Sequence, residues 1–374
     1  MTARARAPLI VVAAGGTAGH LFPAEALACA LTQRGIAVDL ATDVRVARYR
    51  QSFPARQIHV IPSETLRGRN PLRLATTAAW LGIGFVKAWL ALRRLRPAAV
   101  IGFGGYPTLP TVLAARLHNI PTIIHEQNGV MGRANRLLAR YVSAIAMGFP
   151  GVAAPKAAPT AKITLTGNPV RPAVIADGRH PYPPLDRVGP LRLLVFGGSQ
   201  GARIMADVVP AAVARLDPGL RARLSIVQQA RPEDLERVRE RYAALAVTAE
   251  VESFFPDLPR RMAQAHLVVA RAGASTVSEL AVIGRPAILV PLPHALDQDQ
   301  LANATVLMQA GGAIVVREDA FSPARLADEI TGLAQGPERA VKMAAAARTV
   351  GAINAAERLA DFALEVAGIG GSTR

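Results

Sequence analysis

LIVVAAGGTAGHLFPA, residues 9–24, runs four large apolar residues and two alanines into Gly15-Gly16, then Thr17, Ala18, Gly19 and His20. A continuous apolar run this short reads as a strand buried on both faces of a parallel sheet. The glycines that follow allow a tight turn or a close backbone approach to a ligand. PAEALACALTQRG, residues 23–35, then reads as a helix with Pro23 in its first turn and Gly35 as its C-cap. Strand, glycine turn and helix together open a βαβ unit.

The same succession recurs along the chain: AAVIGFGG from 98, PTIIHEQNG from 121, LRLLVFGGSQG from 191, HLVVARAG from 266 and PAILVPLP from 286. The stretch around Gly15 and the one around Gly197 are close copies, each meeting Gly-Gly, a hydroxyl residue and another glycine. They lie about one domain apart. The chain of 374 residues therefore reads as two Rossmann-like α/β domains. Their expected bounds are 1–168 and 169–351, with the Pro- and Gly-rich stretch 167–190 as linker.

Hydrophobic residues make up 51% and charged residues 19%, a balance that suits a folded core rather than disorder. The single cysteine, Cys29, allows no internal disulfide and favours a reducing compartment. MTARARAP at the N-terminus is basic but lacks a cleavage pattern, so export is not expected. Residues 1–170 hold 20 Lys and Arg against 5 Asp and Glu, whereas the other 204 hold 23 against 22. Such asymmetry marks a surface for a polyanion, either an anionic membrane or nucleic acid. No nucleic-acid reading module is recognisable, and aromatic residues at 5% offer few stacking platforms.

LATTAAWLGIGFVKAWLAL, residues 74–92, carries one charge, Lys87, and is long enough to span a bilayer. Its place in a βαβ series calls instead for a helix of the domain. Arg67, Arg69, Arg73, Arg93, Arg94 and Arg96 flank Trp80, Phe85 and Trp89, a combination that suits an interfacial patch on anionic lipid.

Each glycine turn is compatible with a phosphate at the following helix N-terminus and equally with tight packing alone. Neither is a G-x-G-x-x-G or a Walker loop, which argues against nicotinamide and P-loop chemistry. His20 is placed either to take a proton from a sugar hydroxyl or merely to pack by the turn. Thr276 and Glu279 have capping-box spacing, while a carboxylate in a first helical turn can also accept a ribose diol. The isolated DQD at 297–299 does not make a metal site.

In order, GGTAGHLFPA, GFGGYPTLP, HEQNGVMGRANRLLA, GNPVR, GGSQGAR, RAGASTVSELAVIGRPAILVP and DQDQLANA resemble the motifs of the bacterial N-acetylglucosaminyltransferases of peptidoglycan synthesis, glycosyltransferase family 28 type, from about residue 8 to about 365. The resemblance implies a GT-B architecture, with parallel sheets of two Rossmann-like domains facing across a cleft and a C-terminal helix, 352–370, completing the first. It implies an inverting hexosyltransferase that moves N-acetylglucosamine from UDP-N-acetylglucosamine to the C4 hydroxyl of undecaprenyl-pyrophosphoryl-MurNAc-pentapeptide, with no metal or cofactor. It further implies a peripheral protein on the cytoplasmic face of the bacterial inner membrane, with cell-wall synthesis and division proteins as partners and no nucleic acid.

By motif, Ser199 and Arg171 fall at the diphosphate, Phe255 at uracil and Glu279 at the ribose. Ala274, Ser275, Thr276, Val277 and Ser278 supply a helix N-terminus. Gln300 and Asn303 fall by the sugar. Thr17, Ala18, Gly19 and Asn128 contribute from the other domain, and Gly102, Gly104, Gly105 and Tyr106 form an acceptor-side glycine loop. His20 is the candidate base and Glu126 its rival. The family has glycine where this chain has Ala18, so a positive φ there would strain it, and FFPDL at 254–258 also departs from the family pattern. A UDP-N-acetylglucosamine 2-epimerase of the same two-domain plan is one alternative reading, and a basic nucleic-acid-binding protein is the other.

Overall fold

The computed structural model describes residues 7–15, 18–44, 53–63, 71–152, 161–293 and 298–369. They form two units, one of residues 1–171 with 354–374 and the other of residues 172–353.

In the first unit β1 (Leu9–Ala13) leads to α1 (Ala18–Gln33), β2 (Ala37–Thr42) and β3 (Gln57–Val60). Then come α2 (Pro71–Leu95), β4 (Ala99–Gly102), α3 (Thr108–Leu117) and β5 (Thr122–Glu126). Next are α4 (Arg133–Leu138), β6 (Ala144–Met147) and β7 (Lys162–Leu165). All seven strands are parallel, in the order β3-β2-β1-β4-β5-β6-β7.

Every residue of β1 is buried, because helices cover both sides of the sheet. Ile10 and Val12 join Leu21, Leu27 and Leu31 of α1, while Val11 and Ala13 join Leu92, Leu109 and Val112 on the opposite face. This is the period-two alternation of a strand.

The second unit runs from α5 (Pro172–Gly178) through β8 (Leu191–Phe196), α6 (Arg203–Arg215), α7 (Pro218–Ala222) and β9 (Leu224–Gln229). It continues with α8 (Leu235–Ala244), β10 (Thr248–Glu252), α9 (Leu258–Gln264), β11 (Leu267–Ala270), α10 (Ala274–Ile283) and β12 (Ala287–Leu289). Last come α11 (Asp299–Ala310), β13 (Ala313–Val315), α12 (Pro323–Gln335) and α13 (Pro337–Thr349). Its six parallel strands lie in the order β10-β9-β8-β11-β12-β13.

The chain then returns to the first unit as α14 (Ala355–Val366). Leu359, Ala360, Phe362 and Ala363 of this helix are buried in the cluster that α1 lines. Burial of Leu359 and Phe362 contributes roughly 1.5–3 kcal/mol each. The rim pairs Arg34–Asp361 (2.9 Å) and Lys162–Glu365 are exposed and add little.

Three local readings change. Helix α1 begins at Ala18, so Pro23 lies inside it rather than in its first turn. Ala18 thereby opens a helix, where alanine is the favoured residue, and the glycine-requiring conformation does not arise. Gly35 does cap the far end, with φ +75° and its N–H donating to Thr32. Thr276 and Glu279 form no capping box, because α10 starts at Ala274 with Gly273 as N-cap and no side-chain cap. The short turn after β11 starts the helix three residues earlier than the pattern implies.

The third change concerns α2, which turns Phe85 and Trp89 inward, with Ala88 and Leu92, onto the core. Trp89 stacks on His118 with ring centroids 5.1 Å apart, and the His118 ring bonds the Trp89 carbonyl. The outward face carries Trp80, Ile83, Val86 and Leu90, each about half exposed, with Arg93 and Arg94 at its end. Helical spacing separates the two sets. Arg67 and Arg69 lie outside the described residues, as does the Arg73 side chain.

Candidate active site

In an open parallel sheet, ligands bind beyond the carboxyl ends of the strands where the strand order reverses. In the first unit that point lies between β1 and β4, and in the second between β8 and β11. The first carries GGTAGH and GFGGYP, the second GGSQG and RAGAS. Some of the sequence-predicted residues fall at these two points, while Glu126 and Asn128 lie at the end of β5, Phe255 follows β10, and Gln300 and Asn303 lie on α11; each is described within its own unit.

At the first, Gly104 and Gly105 have φ +82° and +74°, conformations that L side chains rarely adopt. Thr108 Oγ1 donates to the Gly104 carbonyl at 2.6 Å and fixes the loop. A Cβ on Gly104 would lie 3.5 Å from His20 Cε1, and one on Gly105 3.5 Å from His20 Cδ2. The imidazole of His20, in the first turn of α1, thus rests on the bare backbone of the glycine pair and stays partly exposed. Tyr106 packs partly into the core, and Gly102 is squeezed against Thr108. Thr17 lies outside the described residues, as does the Ala18 side chain.

At the end of β5, His125 and Gln127 point one way and Glu126 the other, as strand alternation dictates. Glu126 is 1% exposed. Its Oε1 accepts from the Asn128 N–H (2.9 Å) and Asn128 Nδ2 (3.2 Å), and its Oε2 from the Gly132 N–H and Asn135 Nδ2 (both 2.9 Å). Four donors on one carboxylate make it the anchor of the 128–135 loop.

On the other side, His125 Nε2 meets the Gly167 carbonyl at 3.0 Å, and Gln127 Nε2 donates to His125 Nδ1 at 3.0 Å. Gln127 Oε1 lies 3.2 Å from His20 Nδ1. His125 and Gln127 were not singled out from the sequence; their i, i+2 spacing beyond an apolar strand was the available signal.

Burial pushes the His125 ring down to about 4, against a weaker pull upward from the Gly167 carbonyl. The unfolded chain titrates there near 6.5. Stability from the neutral ring is therefore complete above pH 6.5 and is lost as pH falls towards 4. The whole loss is about 3 kcal/mol at 1.36 kcal/mol per pH unit. In urea unfolding at pH 7 and pH 5, His125→Gln is expected to lose about 2 kcal/mol less than the unaltered protein. Equal losses would contradict a buried neutral His125.

In the second unit, Gly198 and Gly201 have φ +83° and +66°, and a Cβ on Gly197 would lie 2.2 Å from the Ala202 nitrogen. The turn they build exposes Ser199 ahead of α6. At α10 the first intrahelical bond runs from the Val277 N–H to the Gly273 carbonyl, so the N–H groups of residues 274–276 point along the axis with the positive dipole end. Val277 and Ser278 are buried, and the Ser278 hydroxyl donates back to the Ala274 carbonyl. Glu279 is buried on the same helix at 5% exposure.

Gln300 Oε1 accepts from the N–H groups of Ala272 (3.3 Å) and Leu292 (3.0 Å), which leaves its amide N–H₂ as what it can offer a ligand. Asn303 is fully buried and donates to the Ala272 carbonyl at 3.1 Å. The two residues together hold the strand-to-helix turn ahead of α10. Arg271, unremarked in the sequence, ties that turn to the carbonyls of Val290 and Pro291 and to Glu318.

Phe255 is buried under the Arg261 guanidinium at 4.5 Å, and its neighbour Phe254 is exposed. Arg171 falls in the first unit, with its guanidinium 4.0 Å over the Phe22 ring. Among the described residues no three His, Cys, Asp or Glu side chains gather as a metal site, and Asp297 lies outside them.

Two doubly wound units in one chain, each with a glycine turn at its switch point and the second with a glycine-capped helix start, follow the plan of the GT-B glycosyltransferases. The model of the glycosyltransferase family 28 N-terminal domain matches residues 10–147, and that of the family 28 C-terminal domain matches residues 192–361. The UDP-N-acetylglucosamine--N-acetylmuramyl-(pentapeptide) pyrophosphoryl-undecaprenol N-acetylglucosamine transferase of Rhodopseudomonas palustris (strain BisB18) is 58% identical over 370 residues, 99% of each chain. The crystal structure of Acinetobacter baumannii MurG matches with TM-score 0.75 at 30% identity, covering 96% of this chain and 100% of that one. UDP-GlcNAc 2-epimerase from Neisseria meningitidis, bound to UDP-GlcNAc, shares the fold at TM-score 0.67 and 14% identity over 96% of this chain and 100% of its own. The chain belongs to glycosyltransferase family 28.

Proposed function

We propose that this protein transfers N-acetylglucosamine from UDP-N-acetylglucosamine to the C4 hydroxyl of the muramyl sugar in undecaprenyl-pyrophosphoryl-MurNAc-pentapeptide, inverting the donor's α linkage to β. The observation that carries this reading is the 58% identity, over nearly the whole length of both chains, to a transferase named for that donor and acceptor. Identity at that level separates it from the epimerases, whose likeness is confined to the fold.

His20 takes the hydroxyl proton as the oxygen attacks the anomeric carbon, and the bond to UDP breaks with its electron pair leaving on the diphosphate. Glu126 is the poorer base, because both its oxygens are already committed to the loop it anchors. The growing negative charge meets the N-terminal N–H groups of α10, with Ser199 and Arg171, and we assign no metal to the step. Glu279 takes the ribose diol, the segment at Phe255 the uracil, and the Gln300 amide the sugar. Asn303 acts by fixing Ala272. Thr17, Gly19 and Asn128 complete the set. UDP release that requires a lipid-linked muramyl acceptor supports this reading; release or isomerisation at the same rate without acceptor would refute it.

The lipid acceptor gives the charge asymmetry a role. Ala75–Leu95 is the helix, among the described residues, long and apolar enough to cross a bilayer. Its inner face packs on the domain, and Gly84 lies so close to Pro62 that a Cβ would sit 2.1 Å from the Pro62 carbonyl oxygen. We assign its outer face, Trp80, Ile83, Val86 and Leu90 beside Lys87, Arg93 and Arg94, to the headgroup region of an anionic leaflet. Trp80→Glu is expected to weaken binding to phosphatidylglycerol vesicles by about tenfold, and salt to weaken it in both proteins. Unchanged sedimentation with vesicles would refute the assignment. Protein partners in wall synthesis and division remain part of the family expectation.

A further inference from the structure

The chain of hydrogen bonds behind His20 has a direction, and that direction decides which nitrogen of His20 is basic. The Gly167 carbonyl can only accept, so His125 Nε2, 3.0 Å away, carries the ring proton. His125 is fully buried and neutral, which leaves Nδ1 as an acceptor. Gln127 must then present its amide nitrogen to that ring. The same nitrogen donates to the His125 carbonyl at 3.0 Å, so both its N–H groups are spent on His125. The Gln127 carbonyl oxygen is thereby turned to His20 Nδ1 at 3.2 Å. Being an acceptor only, it requires a proton on Nδ1.

We infer that Gln127 is a positioning residue that holds His20 as the Nδ1–H tautomer, so that Nε2 presents its lone pair to the acceptor hydroxyl. The inference rests on the reading of His20 as the base. In free histidine the other tautomer is favoured, so this bond reverses an intrinsic preference. Proton balance follows: the hydroxyl proton moves to Nε2, and the imidazolium keeps its Nδ1–H on the Gln127 oxygen, where the new positive charge strengthens the bond. The bare Gly104–Gly105 backbone under the ring holds its plane, and the Asn168 amide fixes the Gln127 carbonyl of the main chain at 2.8 Å. Every member of the relay other than His20 is buried, so water does not compete for the bonds that orient Gln127.

Long-range proton–nitrogen correlation spectra of the protein labelled with ¹⁵N-histidine, at pH 8 and with His20 assigned by comparison with His20→Gln, read the tautomer directly. The expected spectrum has a protonated Nδ1 and an unprotonated Nε2 on His20. In Gln127→Met, which keeps the volume and loses both amide functions, His20 is expected to shift towards the opposite tautomer. The kcat is expected to fall by about ten- to a hundredfold, with KM for UDP-N-acetylglucosamine within about twofold. A protonated Nε2 on His20 in the unaltered protein overturns the relay itself, whatever the variant does. A tautomer that changes in Gln127→Met with no loss of kcat leaves the relay standing but overturns His20 as the base, and with it this positioning role.

Discussion

His20→Ala is expected to lower kcat for sugar transfer by about 10²- to 10⁴-fold, the range a positioned general base contributes, with KM for UDP-N-acetylglucosamine within about threefold. The split follows from where the residue sits. The ring rests on Gly104 and Gly105 in the first unit, whereas the helix start and glycine turn assigned to the nucleotide belong to the second. Alanine at this position, in the first turn of a helix, is favourable for the backbone, so the loss is not expected to come from unfolding. Steady-state kinetics with a lipid-linked muramyl acceptor measure both constants. An equal fall in kcat and rise in donor KM would reduce His20 to a structural residue.

Arg285→Ala is expected to destabilise the second unit by about 3–5 kcal/mol, as removal of a buried charged donor does when its acceptors stay behind. Arg285 has no exposed surface. Its guanidinium donates to the carbonyls of Ala263, Ile283, Gly284 and Pro181, at 3.0, 2.9, 2.8 and 3.2 Å. Burial first, and Arg348 second, push it down to about 10, so it is still charged at neutral pH. It sits at the carboxyl end of α10, where a cation also complements the helix dipole. Its loss leaves four carbonyls without their donor and a gap where α9, α10 and the linker meet. Calorimetry is expected to show the transition of this unit lowered by about 10 °C, at 2–4 °C per kcal/mol. A shift below about 2 °C would mean that water or neighbouring groups replace the guanidinium.

The contrast between these two residues marks what was legible in the sequence. Apolar runs ending in glycine located the strands on either side of both switch points, because strands buried on both faces are uniform in polarity and the turns after β4 and β8 need positive φ. The same uniformity hides direction. In α2 the run from Trp80 to Leu92 holds one polar side chain, Lys87, and only the packed structure distinguishes Trp89, stacked on His118, from Trp80, which faces out.

Start signals misled twice for a related reason. Pro23 and the Thr276–Glu279 pair are sound helix-start patterns, but the turns after β1 and β11 are so short that each helix has already begun. Arg285 reads as a surface charge in any composition-based account. Its acceptors come from three separate stretches of chain that only the fold brings together. In the candidate site Glu126 stood as the rival to His20 until the four donors on Glu126 were visible, and Gln127 drew no attention because its link to His20 spans 107 residues and its link to Asn168 spans 41.

The transfer reaction itself is the direct test. Purified protein is incubated with UDP-N-acetylglucosamine labelled in the sugar and a short-chain muramyl-pentapeptide pyrophosphoryl lipid, and the lipid product is isolated for mass and anomeric configuration. The label is expected in the lipid fraction as a single β-linked N-acetylglucosamine on C4 of the muramyl sugar, with one UDP released per sugar transferred. Label recovered only as free or epimerised sugar, or in an α linkage, would contradict the account.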